Sequence, residues 1–357
     1  MNPSYPDQFV VLNDKIIWTN GIDRAVVIDE SDMVVPLGFS RVPSAPTAFA
    51  PSRLDGGGEI GGVQGSRDAH YPNTLGYAWQ GGIGTTGGLL EGQAGSILPG
   101  AWYYHQQWED IHGNLSALSP ASNSAALATM QADPFTNAAA NNAPRNPFAN
   151  GKKHLGCELD DLTRQFAVEC GDDPPDHAVA LNIYRTSDTI NVDNTPRFRT
   201  RFSFVGRVVF PDSAPDSVLQ APAIERSPVP VFRLMTTHQG ALIIANTPED
   251  PGLVMRSEPG FPGTFASHQR VYPDSGGAAV TAITTHSGVL LAFTADSVYS
   301  LEDFSQPRPL SRSVGCIAPR SIAALSDGTL IWLSRKGFYA MRQGGLPQFI
   351  SGNINAT

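Results

Sequence analysis

Four side chains with the chemistry of a zinc site fall within one short stretch: His154, Cys157, Cys170 and His177, spaced H-x2-C-x12-C-x6-H. Two thiolates and two imidazoles make up a structural zinc donor set. The stretch has no C-x2-C knuckle to present two thiolates from one tight turn. His177 also follows the proline turn "DDPPD", which fixes no ligand direction. Three states of Cys157 and Cys170 stay open: structural thiols facing each other on a hairpin, a disulfide, or a metal site. The thiol reading is preferred, and no metal or cofactor is expected. Cys316, in "SVGCIAPRS", reads as a small buried apolar residue.

Other residue patterns imply little chemistry. Gly56, Gly58 and Gly61, and again Gly82, Gly84 and Gly87, satisfy G-x-G-x-x-G. That motif binds a pyrophosphate only between a buried strand and a helix, and neither flank here reads as one. Neighbouring acids occur at Glu109 and Asp110, Asp160 and Asp161, and Asp172 and Asp173. Neighbours on a strand point apart, so these read as solvated turn residues and not as an acid/base pair. A G-x-S-x-G elbow, an H-E-x-x-H pair and a Walker loop are absent from the sequence. "SDGTLIW" at Ser326 resembles a sialidase Asp-box turn, but it is short and unrepeated. The expectation is that the chain is not an enzyme. Arg197, Arg199 and Arg201 alternate in "RFRTRFSFVGRVV", ahead of Arg207, and read as the solvated face of a strand, with a phosphate- or partner-facing stripe as the alternative.

The elements that carry these residues are signalled by a recurring hairpin. "LNDKIIWTNGIDRAVVI" at Leu12, "HQGALIIAN" at His238, "HSGVLLAFTADSVYSL" at His286 and "SDGTLIWLSRKGFYAM" at Ser326 each show a turn followed by an apolar strand. Gly240 and Gly288 are 48 residues apart and Gly288 and Gly328 are 40 apart, near the ~40 to 50 residues of one propeller blade. The apolar runs lack alternation, which predicts strands buried on both faces. Trp18 and Trp332 hold matching places in their repeats and are expected to be buried alike.

The chain has 357 residues, 35 of them Gly and 29 Pro, and only 16% are charged. Such a composition suits many short strands joined by turns. The fold class expected is all-β: a β-propeller, few-bladed or incomplete, with an inserted immunoglobulin or fibronectin type III-like sandwich. The alternative is an ordinary β-sandwich with apolar central strands. Residues 1–52 would supply N-terminal propeller strands, 53–97 a glycine-rich loop or arm, 98–226 the inserted domain and 227–357 further blades. In the insert, Trp102, Tyr104 and Trp108 fall on even positions, as on one face of a strand. Gly113 suits a turn, and a second strand is expected through Ser116 and Ser119. The arm and the insert are expected to carry subunit contacts, so that deleting Gly56 to Gly95 spares folding and blocks assembly.

A net charge of −9 and a pI near 5.3 argue against a dedicated DNA binder, since such affinity comes from Lys and Arg on phosphates. No run reaches the ~18 apolar residues of a membrane span, and the N-terminus lacks a signal-peptide pattern, which predicts a protein made and used in a soluble state.

Several segments, taken in order, resemble a known family: "LNDKIIWTNGIDRAVVID", "PLGFSRVPSAP", "YYHQQWEDIHGNLSALSPAS", "NIYRTS", "VMRSEPGFPGTF", "LLAFTADSVYSLE" and "VGCIAPRSIAALSDGTLIWLSRKGFYAMRQG". They are similar to the tail tube or nozzle propeller proteins of short-tailed bacteriophages. The resemblance spans almost the whole chain and includes no catalytic signature. It implies a virion protein assembled in the host cytoplasm. Its copies would form a ring, usually hexameric, around the DNA exit channel below the portal and adaptor, with distal tail proteins as further partners. Family members are commonly longer, which leaves the blade count open. The alternative function is a carbohydrate-binding or glycoside-cleaving β-propeller, which would need aromatic platforms and paired acids in a pocket.

Overall fold

A computed structural model describes residues 7–49, 100–122, 125–127, 166–170, 174–186, 195–203, 208–212, 216–302 and 304–353. The glycine-rich segment 53–97, His154, Cys157, Arg207 and the pairs Asp160–Asp161 and Asp172–Asp173 lie outside them. Among the described residues the protein is all-β, with antiparallel sheets and a few one-turn 3-10 helices. Two compact units divide the chain. One contains Met1–Arg41, His112–Ser116 and Glu225–Thr357, and the other Val42–Ile111 and Ala117–Ile224.

Among the described residues the first unit contains four antiparallel sheets of four strands each, in chain order, and a two-stranded pair of Arg226–Ser227 with Phe265–Ala266. Sheet I comprises Gln8–Leu12, Lys15–Thr19, Val26–Ile28 and Val34–Pro36. Sheet II comprises Leu234–His238, Ala241–Ala245, Val254–Arg256 and Arg270–Val271. Sheet III comprises Val280–His286, Val289–Thr294, Val298–Ser300 and Arg308–Ser311. Sheet IV comprises Ala323–Ala324, Leu330–Ser334, Gly337–Met341 and Gln348–Phe349. All four recurring hairpins of the sequence therefore form the opening strands of a sheet.

Turn chemistry explains why these segments fold back. Asn13 and Asp14, Gln239 and Gly240, and Ser287 and Gly288 all have positive φ. Two consecutive residues in that region make the tight turn whose twist matches antiparallel strands. The sheet IV hairpin uses a longer turn, with the Leu325 N–H donating to Thr329 O at 2.8 Å and Gly328 at φ 77°.

The side chains after each turn sort by parity, as a strand requires. Counting from Gly240, Gly288 and Gly328, the second and fourth residues face the preceding sheet, and counting from Asp14, Gly240 and Gly288 the third faces the following one. Leu242 and Ile244 thus pack with Ile17 of sheet I. Leu290 and Ala292 pack with Ile243 of sheet II, and Leu330 and Trp332 with Leu291 of sheet III. The sheets are consequently stacked I on II, II on III and III on IV. This double-sided burial is the reason the central strands read as unbroken apolar runs.

In the second unit, Tyr104–Asp110, Ala178–Arg185 and Arg197–Phe202 form one sheet, with Ala178–Arg185 central. Thr47–Phe49, Phe166–Cys170 and Val208–Asp212 form another, with Phe166–Cys170 central. Gly100–Trp102 pairs with Ala125–Leu127. Trp102, Tyr104 and Trp108 are all buried, but Trp102 ends Gly100–Trp102 while the other two lie on Tyr104–Asp110, so the three do not share one strand face as the sequence suggested. Two boundaries and one expected strand differ from the sequence expectation. Thr47–Phe49 pairs in this second unit and does not continue the N-terminal strands. Residues 112–116 belong to the unit of four sheets, where the Gly263 N–H donates to Asn114 Oδ1 at 2.8 Å and the Leu115 N–H to Thr264 Oγ1 at 2.8 Å. The segment through Ser116 and Ser119 is not a strand. It runs irregularly beside Tyr104–Asp110, with the Ser119 N–H donating to Gln106 O at 2.9 Å and the Ser122 N–H to Tyr104 O at 2.8 Å.

Candidate functional site

The first strands of sheets I, II and III lie next to one another, and polar side chains tie them together. Gln8 bridges two sheets: its Nε2 donates to Arg233 O at 3.0 Å and its Oε1 accepts from the Met235 N–H at 3.0 Å. Thr285 Oγ1 of sheet III donates to Thr237 O of sheet II at 2.7 Å. Thr281 Oγ1 donates to Cys316 O at 2.6 Å, fixing the segment that leads into sheet IV. These bonds satisfy strand groups that would otherwise be left open along a row of edges.

Along those edges runs a groove of about 350 Å³. Its polar lining comes from Asp7, Gln8, Thr236, Thr284 and Arg320, set among Met235, Ile283 and other apolar groups. Both charge signs and two hydroxyls share one wall, so the groove can hydrogen-bond a passing polar chain without a concentrated positive field to hold a polyanion. A second cleft, about 500 Å³, lies beside sheet II and is lined by Pro228, Val229, Pro230, Glu249, Asp250 and Arg270 among others. Asp250 accepts a hydrogen bond from the Tyr272 hydroxyl. Neither lining contains an aromatic side chain, so neither offers the flat platform on which a sugar ring stacks.

The candidate residues separate on the structure. Gly240, Gly288 and Gly328 sit at the turns with positive φ, and a Cβ at each would meet open space. Their requirement is conformational and not steric. Trp332 is buried, its Nε1–H donating to Gly315 O at 3.1 Å. Trp18 is only half-buried and stacks on Phe9 with ring centroids 6.5 Å apart. The two tryptophans hold equivalent positions facing the preceding sheet. Among the described residues no sheet covers the Trp18 face of sheet I, and Trp18 is half-buried, which corrects the expectation that both would be buried.

Cys170 and Cys316 are buried free thiols. Burial pushes both thiols up, that of Cys170 strongly, with the Glu169 carboxylate adding to it. Among the described residues no group of three or more His, Cys, Asp or Glu is placed to hold a metal. Of the four weak zinc candidates, Cys170 and His177 are described and His154 and Cys157 are not. The Asp-box-like Asp327 accepts from the Thr329 N–H at 2.9 Å, and this bond holds its carboxyl below the usual range as a turn-closing group.

Within the arginine stripe Arg201 is exposed, as a solvated face predicts, whereas Arg199 is mostly buried and pairs inward. Arg199 Nε donates to Asp212 Oδ1 at 2.8 Å, and Arg201 Nε to Glu109 Oε2 at 2.9 Å. Asp212 is fully buried and also accepts from Arg185 Nη1 at 2.7 Å and from the Tyr104 hydroxyl at 2.9 Å. Arg185 reaches Asp216 as well, at 2.8 Å. This network joins the two three-stranded sheets of the second unit. Its members had no common sequence signature, and "FVGRVVFPDSAPD" reads as strand and turn without indicating that Asp212 would be buried.

These features define an all-β protein with a stacked four-sheet unit and a second unit braced by a buried charge network. No protein-family model matches the chain, and no curated protein matches it.

Proposed function

We propose that this chain is a structural component of a bacteriophage tail, forming part of the wall of the DNA-ejection channel in a nozzle or tail tube ring. The observation that carries the reading is the arrangement of the first unit: sheets stacked in chain order, with the first strands of I, II and III brought together along a polar groove. That is how propeller blades converge on an axis, and we read the four sheets as four blades of an incomplete propeller. The second unit is read as the inserted immunoglobulin-like sandwich.

The chemistry of the groove supports a conduit. DNA must pass without sticking, and a wall of mixed charge on a chain of net charge −9 offers phosphates no concentrated cationic surface. The ordered resemblance to tail propeller proteins supports the same reading, and with it partners in the portal or adaptor and the distal tail, and a ring of copies. The carbohydrate reading is less well supported, because among the described residues neither of these two clefts has an aromatic side chain in its lining.

The test is peptide mass spectrometry of density-purified particles from the source culture, with copy number calibrated against the portal. Six copies per particle, or another small multiple set by tail symmetry, would support the reading. Absence from particles would overturn it and direct attention to glycan binding.

A further inference from the structure

The two ends of the sheet stack are unlike the interior. Sheets II and III are covered on both faces by their neighbours, whereas among the described residues sheets I and IV each have a neighbour on one face only. The uncovered face of sheet I is apolar: Phe9 is 62% exposed, Val11 67% and Val34 60%, with Ile16 and Trp18 between them. On the uncovered face of sheet IV, Phe338 is 42% exposed and Ile350 48%, alongside half-buried Ile331 and Leu333. Stacked-repeat proteins that end in solvent carry polar terminal faces. Here the terminal faces carry the residues that pack the interior. Ile16 and Trp18 are the counterparts of Leu242 and Ile244, and Leu333 is the counterpart of Phe293, all by their distance from the hairpin turn.

Charge separates the two ends as well. Sheet I and its turns carry Asp7, Asp14, Asp23, Asp29, Glu30 and Asp32 against Lys15 and Arg24. Sheet IV and its turns carry Arg335, Lys336 and Arg342, all exposed, against Asp327. Like faces of two copies would bring like charge together, whereas opposite ends would meet with complementary charge.

We infer that the partner of these faces is a second copy of this chain, docked head to tail, with the Phe9–Trp18 face of sheet I packed on the Phe338–Ile350 face of sheet IV. The contact continues between chains the sheet-on-sheet packing already made three times within one. It is heterologous, so it propagates until rotation closes the assembly. The inference names a surface for the ring of the tail reading but rests on the end faces alone. The two can fail separately, because a protein found in particles could still be monomeric when purified.

The experiment uses full-length protein and light scattering after size exclusion over a concentration series, with Val11→Asp and Phe338→Asp as variants. Both positions are exposed in the single chain, and circular dichroism checks that each variant keeps its fold. Wild-type protein is expected to associate, more weakly at high salt. Each variant alone should raise the dissociation constant by about tenfold or more. An equimolar mixture of the two variants should then recover a dimer, because each contributes the intact face that the other has lost. Wild-type protein monomeric up to about 100 μM would overturn the inference. So would a Phe338→Asp chain that associates like wild type, which would point to sheet I faces meeting each other. A mixture that stays monomeric while each wild-type face still supports assembly would overturn the head-to-tail geometry.

Discussion

Trp18 and Trp332 stand at the same step of two hairpins, the fourth residue after Asp14 and after Gly328, yet only Trp332 is fully buried. Trp332 meets Phe293 of sheet III edge to face, with centroids 5.4 Å apart and an interplanar angle of 66°. Trp18 is half-buried and stacks on Phe9 of its own sheet. The difference measures what a preceding sheet contributes.

Trp332→Ala is therefore expected to cost about 3–5 kcal/mol, the range for deleting a large buried aromatic. Trp18→Ala in dilute protein should cost less than about 1 kcal/mol. Urea unfolding of the two variants checks this. Equal losses would mean that the faces are not distinguished by burial.

Gly288 and Gly315 should respond to alanine for different reasons. At Gly288 φ is +78° and a Cβ would find open space, so the cost is the left-handed conformation alone, about 1–2 kcal/mol. At Gly315 a Cβ would lie 2.2 Å from Thr294 O and 2.5 Å from the Asp296 nitrogen. Backbone must move there, next to the Gly315 carbonyl that receives Trp332. Gly315→Ala should be the more destabilising by thermal denaturation.

Asp212 is the common acceptor of Arg185, Arg199 and Tyr104. Asp212→Ala leaves Arg185 buried without its principal counter-charge and should cost about 3–5 kcal/mol. Replacing Arg185 and Asp212 together by apolar residues should cost less than the sum of the single changes, because no lone charge then stays buried. Chemical denaturation of the three variants provides the cycle.

Alkaline pH should destabilise the fold through Tyr104 and Cys170. Burial pushes the Tyr104 phenol well above its ordinary value, and the Asp212 carboxylate adds to this. Burial likewise pushes the Cys170 thiol up. A raised folded-state pKa contributes stability that is fully present below the unfolded value and is lost as pH rises toward the folded one. Stability should therefore fall from about pH 8.5, where an unfolded cysteine begins to ionise, and more steeply above about pH 10 for tyrosine. Tyr104→Phe should flatten the upper part of that decline; an unchanged slope would contradict the assignment.

The same burial should keep Cys170 and Cys316 unreactive toward iodoacetamide in the native protein and make them reactive in denaturant, since the attacking species is the thiolate. Mass-spectrometric mapping of the labelled residues reads this directly.

The sheet stack was legible because local chemistry specifies it. The turn glycines and the apolar runs after them lie within one hairpin, so sequence neighbours settle the strands. The uncovered state of Trp18 was not legible, because it depends on which sheet comes first in the stack. Arg199 misled for a similar reason. Alternation on a strand predicts a solvated face, but Arg199 is the extra residue at a break in register, since Ile183 faces Thr200 while Tyr184 faces Phe198. Its partner Asp212 lies on the opposite sheet. The place of Asn114 among the four sheets was hidden too, since its contact with Gly263 spans 149 residues.

A three-dimensional reconstruction of the tail from purified particles tests the central claim most directly. The account predicts a ring on the tail axis, with Thr236, Thr284 and Arg320 toward the DNA path and the Trp18 face of one copy covered by sheet IV of the next. A tail whose axial channel contains no density for this chain would contradict it.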